Sequence, residues 1–205
     1  MFKITKTEPS FFTDARARVR TPRTSDAWSS DEIASIRARL REYILVQEQN
    51  LMCAYCEKEI DSEKENSNID HFKLRAGHLY PEKTLEYDNL LVSCSSKGRC
   101  SSHKDSHISS KEDYEKIVNP VIEDPDDFFD YMPTGSIVAK DDSEKARFTI
   151  DIFQLNQAGL IEQRLYLTRS LKGLNLSLEE ILQIFNEFHS FIKIIYPKLQ
   201  QGVTP

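Results

Sequence analysis

Apolar residues recur at helical spacing in three stretches of the chain and alternate only briefly elsewhere. Behind Ser29 and Glu32, which form a capping-box pattern, Ile33, Ile36, Leu40, Tyr43 and Ile44 share one face, so a helix is expected from about Ser29 toward Leu51. A second stretch, 143–171, reads as helix with a break near Gly159. A third starts at a capping box of Ser177 and Glu180, carries Ile181, Ile184, Phe185, Phe188, Ile192 and Ile195, and ends before Pro197. This stripe is broad enough for core burial, with a partner-binding helix as the alternative. Residues 1–6 and 67–72 alternate as short strands, and 128–132 and 136–140 flank Pro133-Thr134-Gly135 as a hairpin. Residues 8–26, with Pro9 and Pro22, read as an extended arm. The chain thus divides into an arm and helix (1–50), a loop-rich centre (51–118), and a hairpin with C-terminal helices (119–205) that pack on the centre or on a partner.

Composition narrows the class. At 205 residues and 39% hydrophobic content the chain can bury a core. Its apolar runs, such as 191–196 interrupted by Lys193, fall short of the roughly 20 residues a membrane span needs. Residues 1–10 lack the apolar stretch of a secretory signal, so a soluble, cytoplasmic protein is expected. The net charge of −6 argues against an indiscriminate nucleic-acid coat. The charge is nevertheless uneven: Arg16, Arg18, Arg20, Arg23, Arg37, Arg39 and Arg41 gather near the start, and Glu123, Asp124, Asp126, Asp127 and Asp130 form an acidic block.

The chemistry gathers in the centre, which holds all four cysteines and four of the five histidines. Cys53-Ala-Tyr-Cys56 has the two-residue gap of a zinc knuckle, and Cys94 and Cys100 supply a second, wider pair. Four thiolates complete a structural zinc site; His103 in place of Cys94 or Cys100 is the competing set. Between the pairs stands Asp70-His71, a carboxylate that can take a hard divalent ion and an imidazole that can take a proton from water. Adjacent strand residues face opposite ways, so the two share a site only where the strand ends or bulges. Asn89 precedes the second cysteine pair, and His103 and Lys104 follow it.

This order resembles the HNH endonucleases, on Cys-Ala-Tyr-Cys, Ile-Asp-His-Phe, Asp-Asn-Leu-Leu and the segment from Cys94 through Lys104. The upstream helix, residues 148–156 and residues 160–164 look like the PtuB-type HNH nucleases of Septu and retron-linked anti-phage systems. The resemblance implies an α+β, mainly helical fold in which a ββα-metal (His-Me finger) core with a four-cysteine zinc site, residues 51–118, lies between helical flanks. It implies a cytoplasmic bacterial defence nuclease that hydrolyses phosphodiester bonds of DNA, or of RNA such as tRNA, with a PtuA-type ATPase as partner.

Residue by residue, the resemblance makes Asp70 a ligand of catalytic Mg²⁺ or Mn²⁺, His71 the general base, and Asn89 the residue that fixes the loop and the imidazole. Family members commonly carry Asn or His directly after the last cysteine, where this chain has Ser101; His103, with His107 one turn on, is the nearest substitute as metal ligand. Lys73, Arg75, Lys97, Arg99 and Lys104 are candidates for holding the phosphodiester backbone, while His78 and His189 read as ordinary loop and helix residues. The alternatives are a zinc-knuckle binding module that does not cut and an inactive assembly subunit.

Overall fold

The protein, described over residues 1–201 by a computed structural model, is a helix-rich α+β chain with two small sheets and one cluster of four cysteines. Strands β1 (Ser67–His71) and β2 (Leu90–Cys94) pair antiparallel without a bulge, from Ser67 opposite Cys94 to His71 opposite Leu90. Paired residues share a face, so Asn68, Asp70, Leu91 and Ser93 look one way and Ile69, His71, Leu90 and Val92 the other. The second face joins a core with Phe12 and Ala15 of α1 (Ser10–Arg18), Ile33 of α2 (Asp31–Ala34), and Leu40 and Ile44 of α3 (Arg37–Gln47). The first face meets α4 (Cys100–His107), which is followed by the short α5 (Lys111–Glu115).

The N-terminal part departs from the sequence reading. Residues 1–6 form no strand; Met1 and Ile4 are buried, and the Ile4 N–H donates to the Pro120 carbonyl at 2.9 Å. The arm is partly helical, because Pro9 stands at the start of α1, where a missing N–H costs nothing. The expected helix from Ser29 is instead a 3-10 turn (Ser25–Ser29), then α2, then α3, and Ser29 lies inside that turn rather than capping a helix.

In the C-terminal part, β3 (Phe129–Tyr131) and β4 (Ile137–Ala139) make the expected hairpin. Gly135 turns it with φ +92°, and a Cβ there would lie 2.3 Å from the Ile161 carbonyl oxygen. Helices α6 (Glu144–Ile152) and α7 (Ala158–Leu171) are separated before Gly159, which lies inside α7. Asn156 causes the break: its amide brackets the Ile137 N–H and carbonyl at 2.9 and 2.8 Å, extending the hairpin edge and drawing the chain out of the helix. The capping box of Ser177 and Glu180 opens α8 (Leu178–Ile184), but the helix does not run on to Pro197. Phe188 turns left-handed (φ 56°), its N–H donates to the Glu57 carbonyl, and α9 (His189–Gln200) begins with the Ser190 N–H on the Glu57 carboxylate. Pro197 sits within α9, where the unpartnered carbonyl it leaves is that of exposed Lys193. Buried side chains of the centre and the C-terminal segment form one continuous cluster.

Candidate active site and cysteine cluster

The knuckle 53–56 docks on β2 through the Ala54 N–H and the Val92 carbonyl, and buried Gln49 brackets the same strand through the Val92 N–H and carbonyl. Cys94 ends β2 and Cys100, with φ 53°, begins α4, so hairpin and helix each contribute a thiol. All four sulfurs lie within 4.8 Å of one another; Cys53 and Cys100 are 3.8 Å apart and Cys56 and Cys94 4.0 Å. A tetrahedral zinc with bonds of about 2.3 Å separates its sulfurs by roughly 3.8 Å, so the donor set fits zinc. The Cys94 N–H donates to the Cys53 sulfur at 3.3 Å. Thiol hydrogen bonds from Cys100, Cys53 and Cys56 hold Cys94 far below the usual thiol range, whereas burial holds Cys100 above it. A divalent cation held by the four sulfurs would supply the charge that stabilises the remaining thiolates. His103 is not in this cluster.

Asp70 and His71 part at the strand. Asp70 turns to the α4 face, where it accepts a hydrogen bond from the Tyr55 hydroxyl and pairs with the Lys104 ammonium at 3.1 Å. Lys104 has 0% exposure; its ammonium also donates to the His71 and Phe72 carbonyls at 2.8 and 2.9 Å and meets Asp105 at 3.0 Å. Burial opposes its charge, but Asp70 and Asp105 outweigh burial and raise its pKa. Lys104, a candidate phosphate contact from sequence, is therefore an internal cation.

His71 turns to the other face. It is 6% exposed, its Nε2 lies 3.0 Å from the Thr84 carbonyl, and the Trp28 ring meets it edge-on at 4.7 Å and 82°. The carbonyl can only accept, so the proton sits on Nε2 and the Nδ1 lone pair is left to take another. Burial pulls the pKa down to about 4 despite adjacent Asp70, and the imidazole is neutral near pH 7. Asn89 clasps the loop after β1: its oxygen accepts the Lys73 N–H at 2.7 Å, and its amide donates to the Lys73 and Lys83 carbonyls at 3.0 and 3.1 Å. Lys83 precedes Thr84, so Asn89 and His71 anchor the same segment.

The remaining candidates lie on α4. Ser101 is buried, its hydroxyl 3.4 Å from the Asn68 side-chain oxygen. His103 turns instead toward α6, with Nδ1 2.9 Å from the Ile152 carbonyl, and stacks on His107 at 3.8 Å. Among the described residues the only group of three or more His, Cys, Asp or Glu donors able to share an ion is the cysteine quartet. The structure therefore does not bring Asp70, His103 and His107 together. With Asp70 bound to Tyr55 and Lys104, and His103 on another face of α4, these residues do not fit the divalent ion the resemblance implies. Sequence reasoning passed over Trp28, Thr84 and Tyr55. A lone tryptophan in a polar arm was the one signal available.

No family model matches the chain. It is 30% identical over 150 residues to the Septu protein PtuB of Bacillus thuringiensis, covering 71% of this chain and 51% of that protein. Septu protein PtuB of Bacillus mycoides is 25% identical over 148 residues, 60% of this chain and 49% of the relative. An Escherichia coli retron protein named for an HNH endonuclease is 34% identical over 98 residues, 46% of this chain and 37% of that protein. The chain spans about half the length of the PtuB proteins it matches. These similarities make it a relative of the Septu PtuB proteins and of a retron protein named for an HNH endonuclease. It is PtuB-like, the similarity to PtuB running through most of the chain.

Proposed function

We propose that this chain is an HNH-type endonuclease that hydrolyses phosphodiester bonds of DNA, or of RNA such as tRNA, in bacterial anti-phage defence. One observation carries the reading: His71 ends β1 with its Nε2 on the carbonyl of Thr84, in a segment that Asn89 holds through the Lys73 and Lys83 carbonyls, on a hairpin whose other end supplies Cys94 to the four-thiol cluster. The order of β1, β2 and α4 supports the ββα core of that superfamily within residues 51–118, between the flanks 1–50 and 119–205. The PtuB and retron relatives support the defence role.

In this reading water attacks phosphorus in line and gives its proton to Nδ1 of His71, the P–O3′ bond breaks, and the departing 3′ oxygen takes a proton from solvent water, while the Thr84 carbonyl, on the loop that Asn89 holds, keeps the imidazole oriented. The cysteine quartet holds zinc as a structural ion, since four protein ligands leave no position for water. The Mg²⁺ or Mn²⁺ of the HNH resemblance is assigned no step, because Lys104 already neutralises Asp70. A PtuA-type ATPase is the proposed partner and the cytoplasm the proposed location; no helix among the described residues is long and apolar enough to cross a membrane. Ser101, in the place of a family ligand, favours a non-cutting zinc-knuckle module as the second reading.

The test is cleavage of supercoiled plasmid and of pooled tRNA by purified wild-type protein and His71→Ala, with and without added Mg²⁺ or Mn²⁺. His71-dependent cutting of either substrate is the expected result and selects the substrate class. Equal cutting by the variant removes His71 as base, and cutting of neither leaves the binding module.

A further inference from the structure

His71 is 6% exposed and lies between the Thr84 segment and a short element that carries Trp28. The 3-10 turn Ser25–Ser29 lays Trp28, 7% exposed, across the imidazole, while Arg20, Thr21, Arg23, Thr24 and Asp26 around it are exposed. Besides the burial of Ala27 and Trp28 in the core with Ile33 and Leu40, two guanidinium groups hold the turn by its backbone. Arg75 Nη1 donates to the Ser25 carbonyl at 2.7 Å, and Arg37 Nη2 donates to the Trp28 carbonyl at 3.2 Å, with its guanidinium 5.5 Å from the Trp28 ring centre. Neither arginine pairs with a carboxylate among the described residues, whereas Arg16, Lys73 and Lys83 in the same region all do. The buried Nε of Arg37 has no hydrogen-bond partner at all. Arg75, near the candidate base, and Arg37, on the Trp28 ring, thus hydrogen-bond only neutral carbonyls.

We propose that Arg37 and Arg75 form a phosphodiester-binding pair, and that the Ser25–Ser29 turn is the cap which the nucleic-acid backbone displaces to uncover His71. The inference rests on the nuclease reading and adds to it a substrate-binding site and a condition for access. A guanidinium bonds a phosphate more strongly than a neutral carbonyl, and can do so through two parallel donors. An arriving backbone therefore takes the donors that keep the turn closed, and Trp28 withdraws as the phosphate settles beside the imidazole. Both contacts are to phosphate, so the pair positions any sequence and selects none. Free His71 stays covered, and the base is presented only where a phosphodiester is already held.

Trp28 is the only tryptophan in the chain, so its fluorescence reports the cap directly. Zinc-loaded wild-type protein, Arg37→Met/Arg75→Met and Trp28→Phe are titrated with a cleavage-resistant phosphorothioate oligodeoxythymidylate, with saturation followed by anisotropy of a labelled strand. Modification of His71 by diethyl pyrocarbonate is read by peptide mass spectrometry in the same samples. Wild-type Trp28 emission is expected to shift red on binding. The double variant is expected to bind about 100-fold more weakly, with a salt slope lower by about 1.4. His71 in Trp28→Phe is expected to react faster than in the wild type before any strand is added. Unchanged Trp28 emission at saturation, absence of strand binding, or equal affinity of the double variant overturns the proposal. Failure of the nuclease reading looks different: the emission shift and the arginine dependence persist while plasmid and tRNA stay intact. Conversely, His71-dependent cleavage with unchanged emission keeps the nuclease and removes the cap.

Discussion

Asp70 and His71 are consecutive residues whose side chains lie on opposite faces of β1, Asp70 against Lys104 of α4 and His71 beneath Trp28. The register runs unbroken to the His71–Leu90 pair, so nothing rotates the two toward a common point. The dipeptide supplies two separate devices, an internal ion pair that ties sheet to helix and a covered imidazole.

Removing one partner of that ion pair should be costly. Lys104→Ala leaves a buried carboxylate without its cation and is expected to lower unfolding free energy by about 3–5 kcal/mol. The double variant Asp70→Asn/Lys104→Met, which removes both charges of the pair, is expected to recover part of that loss, because the His71 and Phe72 carbonyls still lack their donor. Urea denaturation of the three proteins checks both, and a double variant no more stable than Lys104→Ala would contradict the ion-pair account.

Divalent ions provide an independent check on Asp70. Calorimetric titration of Mn²⁺ into zinc-loaded protein is expected to give the same isotherm for wild type and Asp70→Asn, because Lys104 and Tyr55 already occupy the carboxylate. Loss of a binding event in the variant would restore Asp70 as a metal ligand.

Cys94→Ser is expected to lower bound zinc, measured by atomic emission, and to lower the melting temperature with it, since a structural zinc contributes folding free energy. The two readouts should move together, and a variant that keeps its melting point after losing zinc would mean that the ion does not support the fold.

The pH dependence of stability follows from His71. Its folded pKa, about 4, lies below the value of about 6.5 for an unfolded histidine. Between these values the unfolded chain takes up a proton that the folded chain does not. The burial of neutral His71 therefore leaves stability undiminished above about pH 6.5 and lowers it as pH falls toward 4, by about 3 kcal/mol in all. Chemical denaturation of wild type and His71→Gln across this range is expected to show the wild type losing more stability on acidification. Parallel curves would refute the assignment.

How much of this was legible in the sequence depended on how local each determinant is. The knuckle spacing, the β1 strand, the 133–135 turn and the Ser177 capping box depend on neighbouring residues, and the structure has them near their expected places. The division of α8 from α9 was not legible, because Phe188 turns left-handed to reach the Glu57 carbonyl far along the chain. Pro9 marked an arm in the sequence, yet Phe12 and Ala15 already carried the apolar side of a helix that a proline can start. Lys104 read as a surface charge because only tertiary structure brings Asp70 to it, and His103 read as a site residue because its bond to the Ile152 carbonyl lies outside any local pattern.

The cysteine quartet also acts on the unfolded chain. Cys56 and Cys94 are 38 positions apart and Cys53 and Cys100 47, so an ion on all four would close one long loop, from Cys56 to Cys94, with a short loop at either end of it. In loop-entropy terms, joining the inner pair alone is comparable to a disulfide that removes about 4 kcal/mol of freedom from the denatured state. An ion held there would thus be a reversible cross-link that survives reducing conditions, where a disulfide would not. It encloses Asp70, His71 and Asn89 within the stapled segment, so the stretch that carries the candidate chemistry is also the stretch most restrained before folding is complete.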